Sequence, residues 1–270
     1  MKKIRYAFKN NPELYIGLVL SAVTMLVLVC GTVFSPYDPT SMDSTLQFAK
    51  ATGKHILGCD NFGRDIFTRL CTGGMTTLLV AFATVLSGVV FGTLIGAFTG
   101  FYGGAVDEVV MRFNDALLAF PSILLALVFI SVFGSGTFKV TAALGIVFIP
   151  SFARIVRAEF MRAKNLDYVR SARLMGAGDL RIMFVHILPN TVHVMLSSAA
   201  IGFNNAVLAE AGMSYLGIGV QPPSSSLGNM LSDAQSYLFN RPSYAIIPGV
   251  AIVFLCLGFS LIGDGLKKVN

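Results

Sequence analysis

The run Leu70–Val106, LCTGGMTTLLVAFATVLSGVVFGTLIGAFTGFYGGAV, holds no Asp, Glu, Lys or Arg. A bilayer hydrocarbon core of ~30 Å takes about 20 helical residues, so this run is long enough to cross one. It does not alternate apolar and polar residues in segments of ~10, as a transmembrane β-strand would. The reading is therefore helical. Within it Gly88, Gly92, Gly96 and Gly100 recur every four residues and fall on one side of the helix, forming a bare strip on which another backbone can approach closely. The strip predicts tight helix packing, within the chain or with a partner, and no chemistry by itself.

Further charge-free runs lie at Leu14–Tyr37, Ala116–Phe138, Val140–Ala153, Ile182–Ala209, Ala211–Ser232 and Pro242–Gly263. They account for a chain of 270 residues with 54% apolar and only 13% charged side chains and a mean hydropathy of +0.72. Soluble domains carry about 25% charged residues, so a water-soluble globule is excluded. Ala211–Ser232 is not a span, because Gln221, Pro222, Pro223 and Ser224–Ser226 end a helix in lipid. The expected fold is an all-α integral membrane protein with six transmembrane helices, at about 14–34, 76–100, 117–134, 138–153, 191–213 and 244–264. The organisation that follows is an N-terminal unit over 1–75 (tail, first span and outer segment), a membrane domain over 76–264 and a tail over 265–270.

Placing the N-terminus inside puts fourteen of the 20 Lys and Arg residues on the inner side, among them Lys2, Lys3, Arg5, Lys9, Arg112, seven bases between 154 and 190, and Lys267 and Lys268. Both termini are thus expected in the cytoplasm. The net charge of +6 records orientation rather than a nucleic-acid partner. Leu14–Phe34 is too long for a signal-peptide core and lacks a small-residue cleavage site, so it reads as a retained anchor. In the first outer segment Phe62, Ile66 and Leu70 recur every four residues and Asp65 stands four before Arg69, predicting a short interfacial helix. The Pro- and Ser-rich stretch 214–243 predicts an ordered cap or gate.

Reactive groups are scarce. Gly53-Lys54 is followed by His55, and Phe48 stands where a phosphate loop needs its first glycine, so ATP hydrolysis by this chain is not expected. His55, His186 and His193 form no metalloprotease pair, no Cys/His set has zinc spacing, and Gly212-Met-Ser-Tyr-Leu216 lacks the second glycine of a nucleophile elbow. The expectation is no catalytic residue, no metal site and no cofactor on this chain. Cys59 and Cys71 share the outer segment, where either a disulfide or two free thiols is open. Glu210, near the outer end of the fifth span, and Asp264, near the inner end of the sixth, are candidates for a gate or pathway. Glu210 could equally bond to the loop that follows it.

The stretch from about 154 to 190 is the informative one. At its centre Tyr168-Val-Arg-Ser-Ala-Arg-Leu-Met-Gly-Ala-Gly178 is a small-residue helix running into a glycine turn. A solvated basic loop needs neither, so the shape predicts a helix held out from the membrane to dock on another protein. Here the sequence resembles the inner-membrane permease subunits of type I ATP-binding-cassette importers, whose loop reads E-A-A, three residues, Gly and, after nine more, I-x-L-P. Gly176 supplies the glycine, Ala172 the second alanine and Leu188-Pro189 the ending, while Arg170, Ser171 and His186 depart from the pattern.

His55-Ile-Leu-Gly-Cys-Asp60 with Gly63-Arg64-Asp65, Gly103-Gly104 with Asp107, Phe120-Pro121, Glu210-Ala-Gly-Met-Ser-Tyr-Leu-Gly-Ile-Gly-Val-Gln-Pro-Pro223 and Gly263-Asp264 resemble the peptide and nickel permeases within that group. The resemblance implies a prokaryotic cell-membrane importer built from this permease, a second permease, two ATPase subunits or domains that hold ATP and Mg, and an extracytoplasmic substrate-binding protein. It implies a coupling helix in which Arg170, Ser171, Ala172, Arg173, Gly176 and Ala177, with Leu188 and Pro189, meet the ATPase. The substrate it implies is an oligopeptide or dipeptide, with nickel or a metal chelate as the alternative. A self-contained channel or secondary transporter is the competing class, and it would need inverted repeats and broken half-helices.

Overall fold

A computed structural model describes residues 11–268, so Lys2, Lys3, Arg5 and Lys9 lie outside the described residues. Helix α1 spans Pro12–Phe34, starting where Asn11 accepts the Leu14 N–H and Pro12 fills the first turn. Helix α2, Ile66–Tyr102, runs for 37 residues, about 55 Å at the usual rise per residue. It outreaches a ~30 Å hydrocarbon core and ends where Gly103 takes a φ of 70°. Helix α3, Gly104–Leu118, is amphipathic. It is followed by α4, Ser122–Phe133, and by α5, Thr137–Ala163. The projecting helix α6, Asp167–Leu174, is followed by a helical turn at Asp179–Arg181, a π turn at Ile182–Ile187 and α7, Leu188–Tyr215. The short helix α8, Leu227–Ala234, leads through a 3₁₀ turn to α9, Pro242–Lys268.

Among the described residues five helical stretches are long and apolar enough to cross a membrane, and the pair α3 and α4 makes a sixth only as a bent span, with 95° between its halves. The expected straight span over 117–134 is corrected: it breaks at Ala119-Phe120-Pro121, because the proline ring disfavours helical backbone at Phe120 before it. The remaining half, α4, has 12 residues. In the first outer segment the interfacial helix is corrected as well. Asp65 is the N-cap of α2, accepting the Thr68 N–H at 2.8 Å, so Phe62 lies outside the helix and Asp65 does not pair with Arg69. The fourth span runs on to Ala163, taking Arg154, Arg157 and Arg162 into its last turns.

The glycine strip of α2 lies against α5. A Cβ on Gly88 would meet the Phe152 ring at 2.9 Å, one on Gly92 the Phe152 Cβ at 2.6 Å, one on Gly96 the Arg157 N at 2.8 Å, and one on Gly100 the Phe160 Cβ at 2.9 Å. Only hydrogen fits between these backbones, so the two helices share an extended dry contact. Helices α1 and α9 pack in the same manner at Gly17, Gly258 and Gly265. Asn11 Nδ2 donates to the Gly265 carbonyl at 2.7 Å and Lys268 pairs with Glu13 at 2.6 Å. Both described chain ends therefore share one face of the bundle. Large apolar side chains such as Leu26, Phe82, Leu86 and Val253 point outward, as suits a bundle whose solvent is lipid.

Candidate functional site

Helix α6 is held beside the face that carries both chain ends. Its inner side buries Val169 and Ala172 against Phe101, Phe160, Ile182 and Ile187. Its end is a glycine cap: Ala177 N–H donates to the Ala172 carbonyl and Gly176 N–H to the Arg173 carbonyl, both at 3.0 Å, with Gly176 at φ +83°. That is the Schellman arrangement, whose left-handed residue favours glycine. None of the described residues lies within 4 Å of where a Gly176 Cβ would be. The turn thus points into open space.

The outer side of the segment carries Arg170, Ser171 and Arg173, all exposed. Arg170 lies 3.7 Å from Asp167 and Arg173 lies 3.5 Å from Asp179, exposed pairs that bind weakly, and Arg173 also stacks 5.8 Å over the Phe101 ring. Leu174 is 89% and Met175 80% exposed. Sequence reasoning missed this apolar tip. The signal for it is the placement of both residues two and three positions after Ala172 and just before the glycine cap, off the face that Val169 and Ala172 bury. Leu188 packs on the same small core, and Pro189 follows the π turn, whose wider hydrogen-bond register accommodates a residue without an N–H. The helical path from Asp179 to Tyr215 is continuous enough to count as one stretch of 37 residues.

The opposite face is built from the two outer segments. Asp60, 1% exposed, accepts from Arg69 Nη1 at 2.6 Å and Arg64 Nε at 2.7 Å, and its second oxygen takes the Phe62 and Arg64 N–H groups. Arg64 and Arg69 reach on to Asp233 of α8 at 3.1 and 3.2 Å, tying the first outer segment to the second. His55 Nδ1 contacts Asp65 Oδ1 at 2.9 Å, and its ring stacks on Tyr37. The stretch from His55 to Asp65 is thus a charged clamp. Cys59 and Cys71 are both free thiols. Burial pushes the Cys59 thiol up, and Asp65 and Asp60 add to the shift.

Glu210 is fully buried at the far end of α7. Its two oxygens accept from Thr77 Oγ1 at 2.7 Å and Ser214 Oγ at 2.6 Å. Asp264 is half exposed and pairs with Lys267 at 3.1 Å. A cleft of about 480 Å³ opens between α4, α5 and α7, lined by Ser122, Ser151, Ser198 and Asn205 among apolar neighbours. Neither Glu210 nor Asp264 lines it.

The model of the family described as "Binding-protein-dependent transport system inner membrane component" matches residues 92–269. The chain belongs to this family. It is 36% identical over 273 residues, 99% of this chain and 92% of the relative, to a protein of Haemophilus influenzae named dipeptide transport system permease protein DppC. It is 42% identical over 233 residues, 86% of this chain and 77% of the relative, to the glutathione transport system permease protein GsiD of Pectobacterium atrosepticum. Among solved structures, the inward-facing MetNI methionine ABC transporter superposes with a TM-score of 0.61 at 19% identity, covering 75% of this chain and 96% of that one. That likeness speaks for the fold. As a member of the family the chain is a multi-pass membrane permease subunit, a component of a transport system.

Proposed function

We propose that this permease forms, with a second permease, the path for short peptides in an ATP-driven importer. The projecting tip Leu174-Met175, set on the Gly176 cap and joined to α7, carries the coupling half of the reading. Two exposed apolar side chains on a helix buried along its other side form a knob for a groove in another protein. The occupant is an ATPase subunit or domain holding ATP and Mg, with Arg170, Ser171, Arg173 and Ala177 bordering the contact. Its closure would push α6 and tilt α7, moving the bundle between inward and outward arrangements. In this reading the chain itself binds no cofactor, both termini and α6 lie in the cytoplasm, and the face with Asp60 and Glu210 meets a substrate-binding protein.

Peptide is the substrate class because relatives covering nearly the whole chain are named for dipeptides, di/tripeptides and glutathione, itself a short peptide. The cleft between α4, α5 and α7 fits a peptide in character, mixing hydroxyl and amide groups with apolar walls. Uptake of labelled dipeptide and of nickel, compared in a strain lacking this chain and in the complemented strain, tests the substrate. Dipeptide uptake should return on complementation, and restoration of nickel uptake alone overturns the peptide reading.

A further inference from the structure

The loop Gln221–Ser226 on the outer face is pinned at both ends by hydroxyls that share one carboxylate. At its start, Val220 N–H donates to Ser214 Oγ at 3.0 Å. At its end, Leu227 N–H donates to Thr77 Oγ1 at 3.2 Å. Each hydroxyl has one proton, and both give it to Glu210, on Oε1 and Oε2. Because Glu210 accepts on both oxygens, both hydroxyls are turned so that their lone pairs face the loop N–H groups. Asn229 Nδ2 closes the loop on the Val220 carbonyl at 2.9 Å. A Cβ on Gly228 would stand 2.8 Å from the Ala211 Cα, so the start of α8, where the loop ends, is seated directly on α7. The loop forms one wall of a second cleft, of about 650 Å³, facing Arg64, Arg69 and Asp233.

Thr77 belongs to α2, whereas Glu210 and Ser214 belong to α7, the helix that starts beside the projecting segment. A relative shift of ~1 Å between the two helices takes a 2.7 Å hydrogen bond beyond bonding distance. We propose that Glu210 is the positioning residue of this outer loop. It seats Gln221–Ser226 over the cleft while Thr77 and Ser214 both donate to it, and the Leu227 end of that seat comes free when α7 moves against α2 and takes Glu210 from Thr77. Motion delivered at α6 is thereby read out at the opposite face. The proposal rests on the importer reading for the source of that motion, and on the hydrogen bonds alone for the seating.

The test uses the assembled importer with its partner subunits, comparing Thr77→Val, Thr77→Ser and Ser214→Ala with wild type. Amide hydrogen exchange is followed across 217–234 and across the α2 and α5 contact, and peptide uptake is measured in the same strains. Thr77→Val should speed exchange at the Leu227 end about tenfold, the factor that one lost hydrogen bond produces, with the α2 and α5 peptides unchanged and uptake reduced. Ser214→Ala should do so at the Val220 end, and Thr77→Ser should restore both readouts. Wild-type exchange in Thr77→Val and Ser214→Ala overturns the seating, as does faster exchange spread evenly over the whole bundle. Faster loop exchange with full uptake overturns the positioning role. If wild type accumulates no peptide, the importer reading fails, and the exchange arm still decides the seating.

Discussion

Gly92→Ala adds one methyl group to the α2 and α5 contact, and the structure fixes what that methyl meets. It would stand 2.6 Å from the Phe152 Cβ and 2.9 Å from the Ala153 N. Non-bonded carbons rest about 3.5–4.0 Å apart, so the new atom asks for roughly 1 Å more room. The obstructing atoms belong to the backbone or sit directly on it, and no rotamer change relieves them. The helices must part along the same strip on which Gly88, Gly96 and Gly100 seat. Overpacking of this kind costs about 1–3 kcal/mol, which outweighs the ~1 kcal/mol that alanine gains over glycine in a helix.

Gly249, inside α9 with none of the described residues within 4 Å of an added Cβ, supplies the opposite case. Gly249→Ala should stabilise by about 0.5–1 kcal/mol. The assay is reversible unfolding of the purified permease in mixed micelles, titrated with SDS and followed by circular dichroism. Gly92→Ala at or above wild-type stability, or on the same side of wild type as Gly249→Ala, would refute the reasoning.

At the coupling segment, Gly176→Asn should keep transport, since asparagine tolerates the left-handed region, while Gly176→Trp should leave membrane insertion intact and separate ATP hydrolysis from uptake. Normal uptake in the tryptophan variant counts against docking at this turn. In the outer clamp, Asp60→Ala leaves Arg69 buried without its closest partner and should cost about 3–5 kcal/mol, read as rapid proteolysis of the segment 36–64; unchanged protection would contradict it. Because its thiol is buried and its pKa raised, Cys59 should label slowly with maleimide at neutral and mildly alkaline pH. After denaturation Cys59 and Cys71 should label equally with and without reductant, and a reductant-dependent gain would reveal a disulfide.

The spans were legible because lipid demands about 20 apolar residues for each crossing, a requirement that shows in any window of sequence. The glycine strip was legible because a period of four maps directly onto a helix face, although its partner, α5, was not. The third span misled because hydropathy does not register the break that Phe120-Pro121 imposes. Asp65 misled for a related reason: its spacing to Arg69 suits an ion pair, yet at a helix start the nearer Thr68 N–H wins it as a cap. The link of Glu210 to the loop after it was open to a local reading, but the outer clamp and the Thr77 partner were hidden because Asp60 meets Asp233 only through two arginines, and Thr77 lies 133 residues from Glu210. No local pattern encodes such pairings.

In the proposed mechanism this chain supplies a path whose motion is powered by another subunit through α6. Accumulation of labelled dipeptide in proteoliposomes holding the assembled importer and its binding protein, with and without ATP, tests it most directly. Accumulation is expected with ATP, and none when ATP is withheld or when this chain carries Gly176→Trp. Accumulation that proceeds equally without ATP would contradict it.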